Sequence, residues 1–139
     1  MSEGWLTDVE AKAKRKTDIG PPHFKQFLPP VIAKNYGSWK HHERLDGGTM
    51  VHVANSGDKC YTVRVASPRL LSTETIREML DIADKHCDGF IRFTTRNNVE
   101  FMTADEKKVD GLKKELKSKG FAIGGIGPGI SNVVHTQGW

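Results

Sequence analysis

Residues 89–102 alternate apolar and polar side chains on both sides of Asn97-Asn98, a favourable turn pair, and therefore predict a β-hairpin. Residues 60–66 alternate in the same way and predict an earlier strand. Because successive side chains of a strand point to opposite faces, the predicted sheet has one apolar and one polar face. The apolar set is Tyr61, Val63, Val65, Ile91, Phe93, Val99 and Phe101. The polar set is Thr62, Arg64, Arg92, Thr94, Arg96, Asn98 and Glu100.

Two amphipathic helices are predicted around these strands. The first should begin after Ser72, its N-cap, and apolar residues recur along it at helical spacing. They are Ile76, Met79, Leu80, Ala83 and Cys87. The second should begin at Thr103, which forms a capping box with Glu106, and should end at Gly120. Its apolar stripe is Val109, Leu112 and Leu116.

The order of these elements predicts the fold. A short strand is expected over residues 50–54 and a last strand from residue 121, so the order from residue 60 is β-α-β-β-α-β. This is the ferredoxin-like plan, an α+β fold in which both helices cover one sheet face and leave the other uncovered. Residues 1–48 should form an extended, Pro-rich N-terminal arm, because two Pro-Pro pairs exclude a long helix. Residues 49–139 should form the folded domain.

Composition restricts the class of protein only loosely. The 139 residues give room for about one domain. A net charge of +4 is compatible with any acidic partner and selects none. No apolar run approaches the roughly 18 residues that a membrane helix needs, and the N-terminus has no signal-peptide pattern. A cytoplasmic protein with no membrane span is therefore expected.

The cysteines and histidines do not predict a metal site. Cys60 on the polar strand face and Cys87 on the helix stripe have no ligand spacing, so both should be free thiols of a reducing compartment. Two cysteines cannot hold an iron–sulfur cluster of the usual four-cysteine kind. Surface histidines are favoured over metal ligands for the neighbouring histidines. These are His23, His41, His42 and His52.

The polar sheet face carries Arg64, Arg92 and Arg96 together. One interpretation is a solvated face, since antiparallel sheets commonly leave one side wet. The other interpretation is a site for a polyanionic ligand, because guanidinium groups bind carboxylates and phosphates bidentately and stay charged when partly buried. The residue pattern alone leaves both interpretations open.

Several longer runs resemble the beta subunit of dissimilatory sulfite reductases. The resemblance covers roughly residues 18–139 in order. The matching runs are residues 20–24, 27–37, 56–58, 61–65, 67–70, 81–85, 92–101 and 131–139. The family's cluster cysteines and second half-domain lie farther along a much longer chain, so this sequence resembles only the first third or so of the subunit.

The resemblance implies a nitrite/sulfite reductase ferredoxin-like half-domain in an enzyme with siroheme and a 4Fe–4S cluster, the cluster ligands lying outside this chain. In that family an alpha and a beta subunit form an α2β2 oxidoreductase that reduces sulfite by six electrons in anaerobic sulfur metabolism. A small sulfur-carrier protein takes part through its C-terminal cysteine. The 139-residue chain alone is not expected to be active, and no catalytic residue is assigned to it.

The resemblance also gives the arginine face a purpose, because cations permit the burial of the many carboxylates of siroheme. The implied siroheme-binding residues are Arg92, Thr94, Arg96, Arg64, Asn98, His135, Thr136 and Gln137. In single-chain assimilatory relatives of this family, arginines that bind the anion lie near the positions that match Thr62 and Ser131 of this chain. That difference implies that the partner subunit or the missing part completes the sulfite site.

Two alternatives come from other functional classes. One is a standalone ferredoxin-like module that binds RNA through the basic face. An RNA-recognition sheet needs aromatic side chains for base stacking, whereas Phe93 and Phe101 are predicted on the core side, so nucleic-acid binding is not expected. The other is an assembly module that docks to the alpha subunit without binding a cofactor.

Overall fold

A computed structural model describes residues 27–67 and 70–125 of the chain. Within these ranges lie three helices and five strands. The helices are α1 (Pro30–Lys34), α2 (Thr73–His86) and α3 (Glu106–Ser118). The strands are β1 (Trp39–Asp46), β2 (Thr49–Ala54), β3 (Lys59–Val65), β4 (Ile91–Phe93) and β5 (Val99–Thr103). None of the described helices is long and apolar enough to cross a membrane.

The five strands form one antiparallel sheet in the order β1-β2-β3-β5-β4. Helices α2 and α3 pack together on one face, and the core lies between them and the sheet. The succession β3-α2-β4-β5-α3 confirms the predicted ferredoxin-like plan for five of its six elements. The N-terminal strands β1 and β2 extend the same sheet beyond β3.

The sixth element of the plan is shorter than predicted in the described part of the chain. Instead of a strand from residue 121, a single bridge joins Val65 to Ile123. The amide of Gly124 donates to the carbonyl oxygen of Arg64 over 2.9 Å. Strand β2 pairs with β3 from Lys59 to Val63, so only the end of β3 is left for a further partner. The added strand β2 thus occupies the place that a sixth element would fill.

The core confirms most of the predicted apolar faces. Buried side chains from the strands are Tyr61, Val63, Val65, Val99 and Phe101, and from the helices Met79, Ile82, Ala83, Val109, Leu112 and Leu116. The stripe predicted for α2 was partly wrong, since Ile76 and Leu80 are exposed and Ile82 is buried. The buried face is centred on positions 79, 82 and 83, and Leu80 lies about 100° around the helix from Met79.

Helix boundaries follow their caps. The Ser72 hydroxyl accepts a hydrogen bond from the Thr75 amide at 3.1 Å, which confirms the predicted N-cap of α2. The capping box predicted at Thr103 is wrong, because Thr103 still belongs to β5 and Asp105 caps α3. The Asp105 carboxylate accepts from the Lys107 amide at 3.0 Å. Gly120 follows the end of α3 with a φ of +82°, as expected of a helix-terminating glycine.

The segment from residue 29 to residue 46 is more ordered than the predicted extended arm. Helix α1 begins at Pro30, where proline is tolerated, and β1 is an exposed, charged edge strand. Asn35 anchors this segment, since its side-chain amide donates to the Asp58 carboxylate at 2.9 Å and accepts from the Ser56 hydroxyl at 2.7 Å. This segment therefore packs on the β2–β3 turn. Residues 1–26 lie outside the described part.

Cys60 and Cys87 are free and buried, as predicted for thiols without a disulfide. Cys60 lies on the sheet face opposite α2 and α3, yet only 1% of it is exposed. Both thiols line a cavity of about 260 Å³ that Pro29, Pro30 and Val31 also border. The turn that begins α1 therefore covers one end of a face that was predicted to be uncovered.

Gly48, at the β1–β2 turn, has a φ of +88°, and a Cβ placed there would lie 2.7 Å from the backbone nitrogen of Gly124. Gly57 has the same φ but no atom within 4 Å of such a Cβ. Both alanine substitutions incur the cost of positive φ, and only Gly48→Ala adds a clash with backbone. We expect Gly48→Ala to lower the free energy of unfolding by about 1–3 kcal/mol more than Gly57→Ala. Urea denaturation of both variants measures this difference, and equal losses would contradict the proposed close approach.

Candidate functional site

The sheet face opposite α2 and α3, here called the open face, brings two of the predicted arginines together. Arg64 on β3 lies directly opposite Glu100 on β5. Arg92 on β4 lies opposite Glu100 from the other side. The three residues therefore form one row across three adjacent strands, and we call them the arginine row. Its central member is acidic.

Glu100 joins the two arginines through separate carboxylate oxygens. Arg64 Nε donates to Oε1 at 2.7 Å and Arg92 Nε donates to Oε2 at 2.7 Å. The Nη2 atom of each arginine makes a second contact to the same oxygen. Only 1% of Glu100 is exposed. Burial alone would raise the pKa of Glu100, but the Arg92 charge and the hydrogen bonds from both arginines hold it below its usual value.

The two arginines differ in what they can offer a ligand. Arg64 is 18% exposed, and its remaining nitrogen, Nη1, donates to the Gly125 carbonyl oxygen at 2.6 Å. Arg92 is 52% exposed. Its Nε and Nη2 atoms bind Glu100, and no group in residues 27–67 or 70–125 accepts a hydrogen bond from its Nη1. Arg92 is thus held in place along one edge and open along the other.

Asn98 and Gly125 complete the buried side of the row. Gly125 has a φ of +78°, and a Cβ added there would lie 2.9 Å from Asn98 Nδ2 and 3.1 Å from Arg64 Cδ. Asn98 is 2% exposed. Asn98 and Arg64 therefore both lie close to Gly125 on the buried side of the row.

Thr94 and Arg96 belong to the hairpin loop after β4. The Thr94 hydroxyl accepts from the Asn98 amide at 3.1 Å, and the Thr94 amide donates to the Asn98 carbonyl oxygen at 2.8 Å. Asn97 has a φ of +61°, which confirms the predicted turn. Arg96 is exposed near the tip of this loop, and none of the ion pairs formed within the described ranges includes it. It extends the positive surface without joining the row.

Two further expectations concern neighbouring positions. Phe93, predicted for the core, is 60% exposed, because β4 is a three-residue edge strand whose end is not covered by the helices. His135, Thr136 and Gln137, predicted as siroheme contacts, lie outside the described residues.

A groove of about 190 Å³ adjoins Arg92 on the open face and was not predicted from the sequence. Its lining includes Ile32, Trp39, His42, His52, Cys60, Thr62 and Met102. His42 Nδ1 lies 2.7 Å from His52 Nδ1, and His52 Nε2 lies 3.2 Å from the Thr62 hydroxyl. The turn at residues 47–48 alone would pair residue 42 with residue 53, and only the register shift between Arg44 and Asp46 brings His42 opposite His52, so the pair could not be found from the sequence. Within the described ranges no group of three possible metal ligands occurs.

The pKa of His52 lies well below that of an ordinary histidine. Burial, followed by the nearby His42 and Arg92, lowers the pKa of His52 to about 4, and Glu100 opposes this effect only in part. His52 is therefore neutral at pH 7 and has one donor and one acceptor nitrogen. The arginine row and the histidine pair thus share one electrostatic environment.

Comparisons with known proteins agree with the resemblance seen in the sequence. Residues 52–119 match the family described as nitrite/sulfite reductase ferredoxin-like half domain. The chain is 60% identical over 134 residues to the protein named sulfite reductase, dissimilatory-type subunit beta, of Nitratidesulfovibrio vulgaris, covering 91% of the chain and 35% of that relative.

Two further proteins of the same name are similar. The identity is 54% over 132 residues for the relative in Megalodesulfovibrio gigas, covering 90% of the chain and 50% of the relative. It is 54% over 131 residues for the one in Archaeoglobus fulgidus, covering 89% and 36%. The chain therefore spans about a third to a half of the length of these relatives.

Substituting Glu100 tests the physical basis of the arginine row. Glu100→Gln leaves two guanidinium groups around a neutral amide, and we expect it to lower the free energy of unfolding by about 3–5 kcal/mol. The matched control is Glu115→Gln, which removes a more exposed carboxylate that contacts Lys85 and His86. The control should lose much less, because water screens exposed pairs. Equal losses in denaturant titrations would contradict the row's structural role.

The same pair of variants gives a pH test. The lowered pKa of Glu100 means that its stabilisation is complete above its ordinary value of 4.5 and is lost as the pH falls through the folded-state pKa. The difference in unfolding free energy between wild type and Glu100→Gln should therefore shrink below pH 4.5. A difference that stays constant down to acid pH would contradict the assignment.

Proposed function

We propose that the chain forms part of a dissimilatory-type sulfite reductase beta subunit and helps to bind siroheme on its open face. The proposal is supported by its similarity to subunits of that name and by the match of residues 52–119 to the nitrite/sulfite reductase ferredoxin-like half domain. The observation that carries the proposal is the orientation of Arg92. A buried carboxylate fixes one edge of its guanidinium group, while the other edge is accessible. A tetrapyrrole with peripheral carboxylates is a suitable partner for such an edge.

The charges of the open face fit this ligand. Arg64, Arg92 and Arg96 outnumber Glu100, so the face keeps an excess of positive charge. A preorganised guanidinium group loses little rotational freedom when it binds, which favours affinity. The cost of bringing carboxylates out of water is lower where cations are already fixed.

The site residues differ in their proposed roles. Arg92 contacts siroheme carboxylates through its Nη1 edge, and Arg96 adds a second, adaptable charge from the hairpin loop. Arg64, Thr94 and Asn98 hold these groups in place. His135, Thr136 and Gln137 remain proposed siroheme contacts on the basis of the sequence resemblance.

The iron–sulfur cluster does not fit this chain. Burial raises the pKa of Cys60 to about 11 and that of Cys87 to about 12, so both thiols are protonated at pH 7. They are the chain's two cysteines. We therefore place the ligands of a 4Fe–4S cluster outside this chain.

When bound, siroheme and its cluster supply the electron-transfer chemistry for the six-electron reduction of sulfite. The contribution of this chain is to hold the macrocycle and to keep positive charge beside it, where cations also favour an oxyanion substrate. The proposed partners are an alpha subunit in an α2β2 heterotetramer and a small sulfur-carrier protein with a C-terminal cysteine. The proposed location is the cytoplasm.

Siroheme content tests the role of Arg92. In a complex of full-length alpha and beta subunits, Arg92→Ala should weaken siroheme binding by roughly 10–100-fold, the worth of a charge-assisted hydrogen bond. Arg92→Lys should be intermediate, because it keeps the charge but loses the planar fork. Arg77→Ala on α2 is the control, since it removes a cation from the other side of the sheet. The absorption spectrum and iron content of each purified complex give the result.

Unchanged siroheme content in Arg92→Ala would refute the site assignment. A complementary experiment co-expresses this 139-residue chain with a full-length alpha subunit. Siroheme bands above those of the alpha subunit alone support binding by this chain. A stable complex with no additional pigment would instead favour an assembly module.

A further inference from the structure

We propose that His42, His52 and Thr62 form a proton relay that leads from solvent at the edge strand β1 to the open face beside Arg92. The inference rests on the proposed function, because the reduction of sulfite to sulfide consumes protons as well as electrons. A buried reaction site therefore needs a path for protons. The three residues provide one that is separate from the arginine row.

The relay is a continuous hydrogen-bonded chain across three adjacent strands. His42 on β1 and His52 on β2 are direct cross-strand partners, and their Nδ1 atoms are 2.7 Å apart. The other nitrogen of His52, Nε2, lies 3.2 Å from Thr62 Oγ1 on β3. Both ring nitrogens of His52 are therefore engaged, one toward each neighbour. This is the arrangement that passes a proton through an imidazole.

The ends of the chain have the exposure that a relay requires. His42 is exposed, His52 is half-buried and Thr62 is 3% exposed. Thr62 and Arg92 line the same groove. The Trp39 ring centroid lies 6.3 Å from that of each of the two imidazole rings. The path thus begins in solvent and ends beside the proposed ligand site.

The distance between the histidines favours a shared proton over a shared metal ion. A separation of 2.7 Å between nitrogen atoms is a hydrogen-bond distance. Two nitrogens bound tetrahedrally to one zinc ion at about 2.0–2.1 Å would be roughly 3.3 Å apart. One Nδ1 atom therefore carries a hydrogen and the other accepts it.

One proton enters and one leaves in each passage. A proton from solvent binds His42 Nε2, and the Nδ1 proton of His42 moves to His52 Nδ1. The Nε2 proton of His52 then moves to Thr62 Oγ1, and the hydroxyl proton of Thr62 passes to an oxygen atom of water or of the oxyanion substrate in the groove beside Arg92. No electrons move along the chain. Each passage leaves the hydrogen of both imidazoles on the opposite nitrogen, and proton exchange with water restores the starting tautomers before the next passage.

The surroundings of His52 keep it neutral, as a relay requires. The titratable and charged groups around it are His42 from β1, Cys60 and Arg64 from β3, Arg92 from β4 and Glu100 from β5. Burial, followed by His42 and Arg92, lowers the pKa of His52 to about 4. A protonated imidazole would donate from both nitrogens and could not accept a proton from His42.

Nuclear magnetic resonance of the 139-residue chain with ¹⁵N-labelled histidine tests the relay independently of any cofactor. We expect His52 to stay neutral from pH 8 to pH 5 in a single tautomer. Thr62→Val, which keeps the shape but removes the hydroxyl, should shift the His52 Nε2 resonance, whereas His41→Ala should not. A His52 that titrates near its ordinary value of about 6.5, or that ignores Thr62→Val, would overturn the relay. Tight binding of added Zn²⁺ by the two rings would also overturn it.

The complex of full-length subunits tests the functional part. His42→Ala should slow sulfite reduction roughly tenfold or more without changing siroheme content, and added imidazole should restore part of the rate. His41→Ala, on the neighbouring exposed position, should change neither. An unchanged rate in His42→Ala, or a loss that imidazole does not restore, would refute the relay and leave the siroheme proposal intact. Absence of siroheme from the wild-type complex would refute both.

Discussion

The buried Glu100 carboxylate is the interaction on which both the sheet and the candidate site depend. A carboxylate with 1% exposure is costly to bury unless it is fully compensated. Arg64 and Arg92 provide the compensation from the strands on either side of β5. The Glu100 carboxylate also lies between the two guanidinium groups, so its negative charge offsets the repulsion between them. The contact that fixes the register of β3, β5 and β4 is therefore also the contact that orients the proposed binding group.

The N-terminal strands change what the open face can do. The family match begins at residue 52, so β1 lies outside the matched half domain. Trp39 and His42 nevertheless line the same groove as Arg92. The segment that contains α1 covers Cys60 at the other end of this face. A broad, solvated sheet surface is thereby reduced to a groove beside the arginine row, and the protonatable groups that border it come from two different parts of the chain.

The sequence was informative where local alternation decides the structure. It predicted the hairpin around Asn97, the helix cap at Ser72 and the shared face of Arg64 and Arg92, because each depends on neighbours in sequence. It did not reveal the role of Glu100, because alternation gives the face of a residue but not its partner on the next strand. It also missed β1, whose exposed polar residues show no apolar face. The exposure of Phe93 likewise depends on how far the helices extend over β4, which residue spacing does not specify.

Electrostatics links the two proposals. Arg92 and Arg64 contribute to lowering the pKa of His52, although burial contributes most. A polyanion bound at the Arg92 edge would offset part of that positive field, and the proton affinity of His52 would rise. Because burial remains, the rise would not reach the ordinary histidine value. Occupation of the open face would thus make the transient imidazolium in the relay easier to form while His52 stays mostly neutral. Ligand binding and proton delivery are, in this arrangement, coupled through a single pair of arginines.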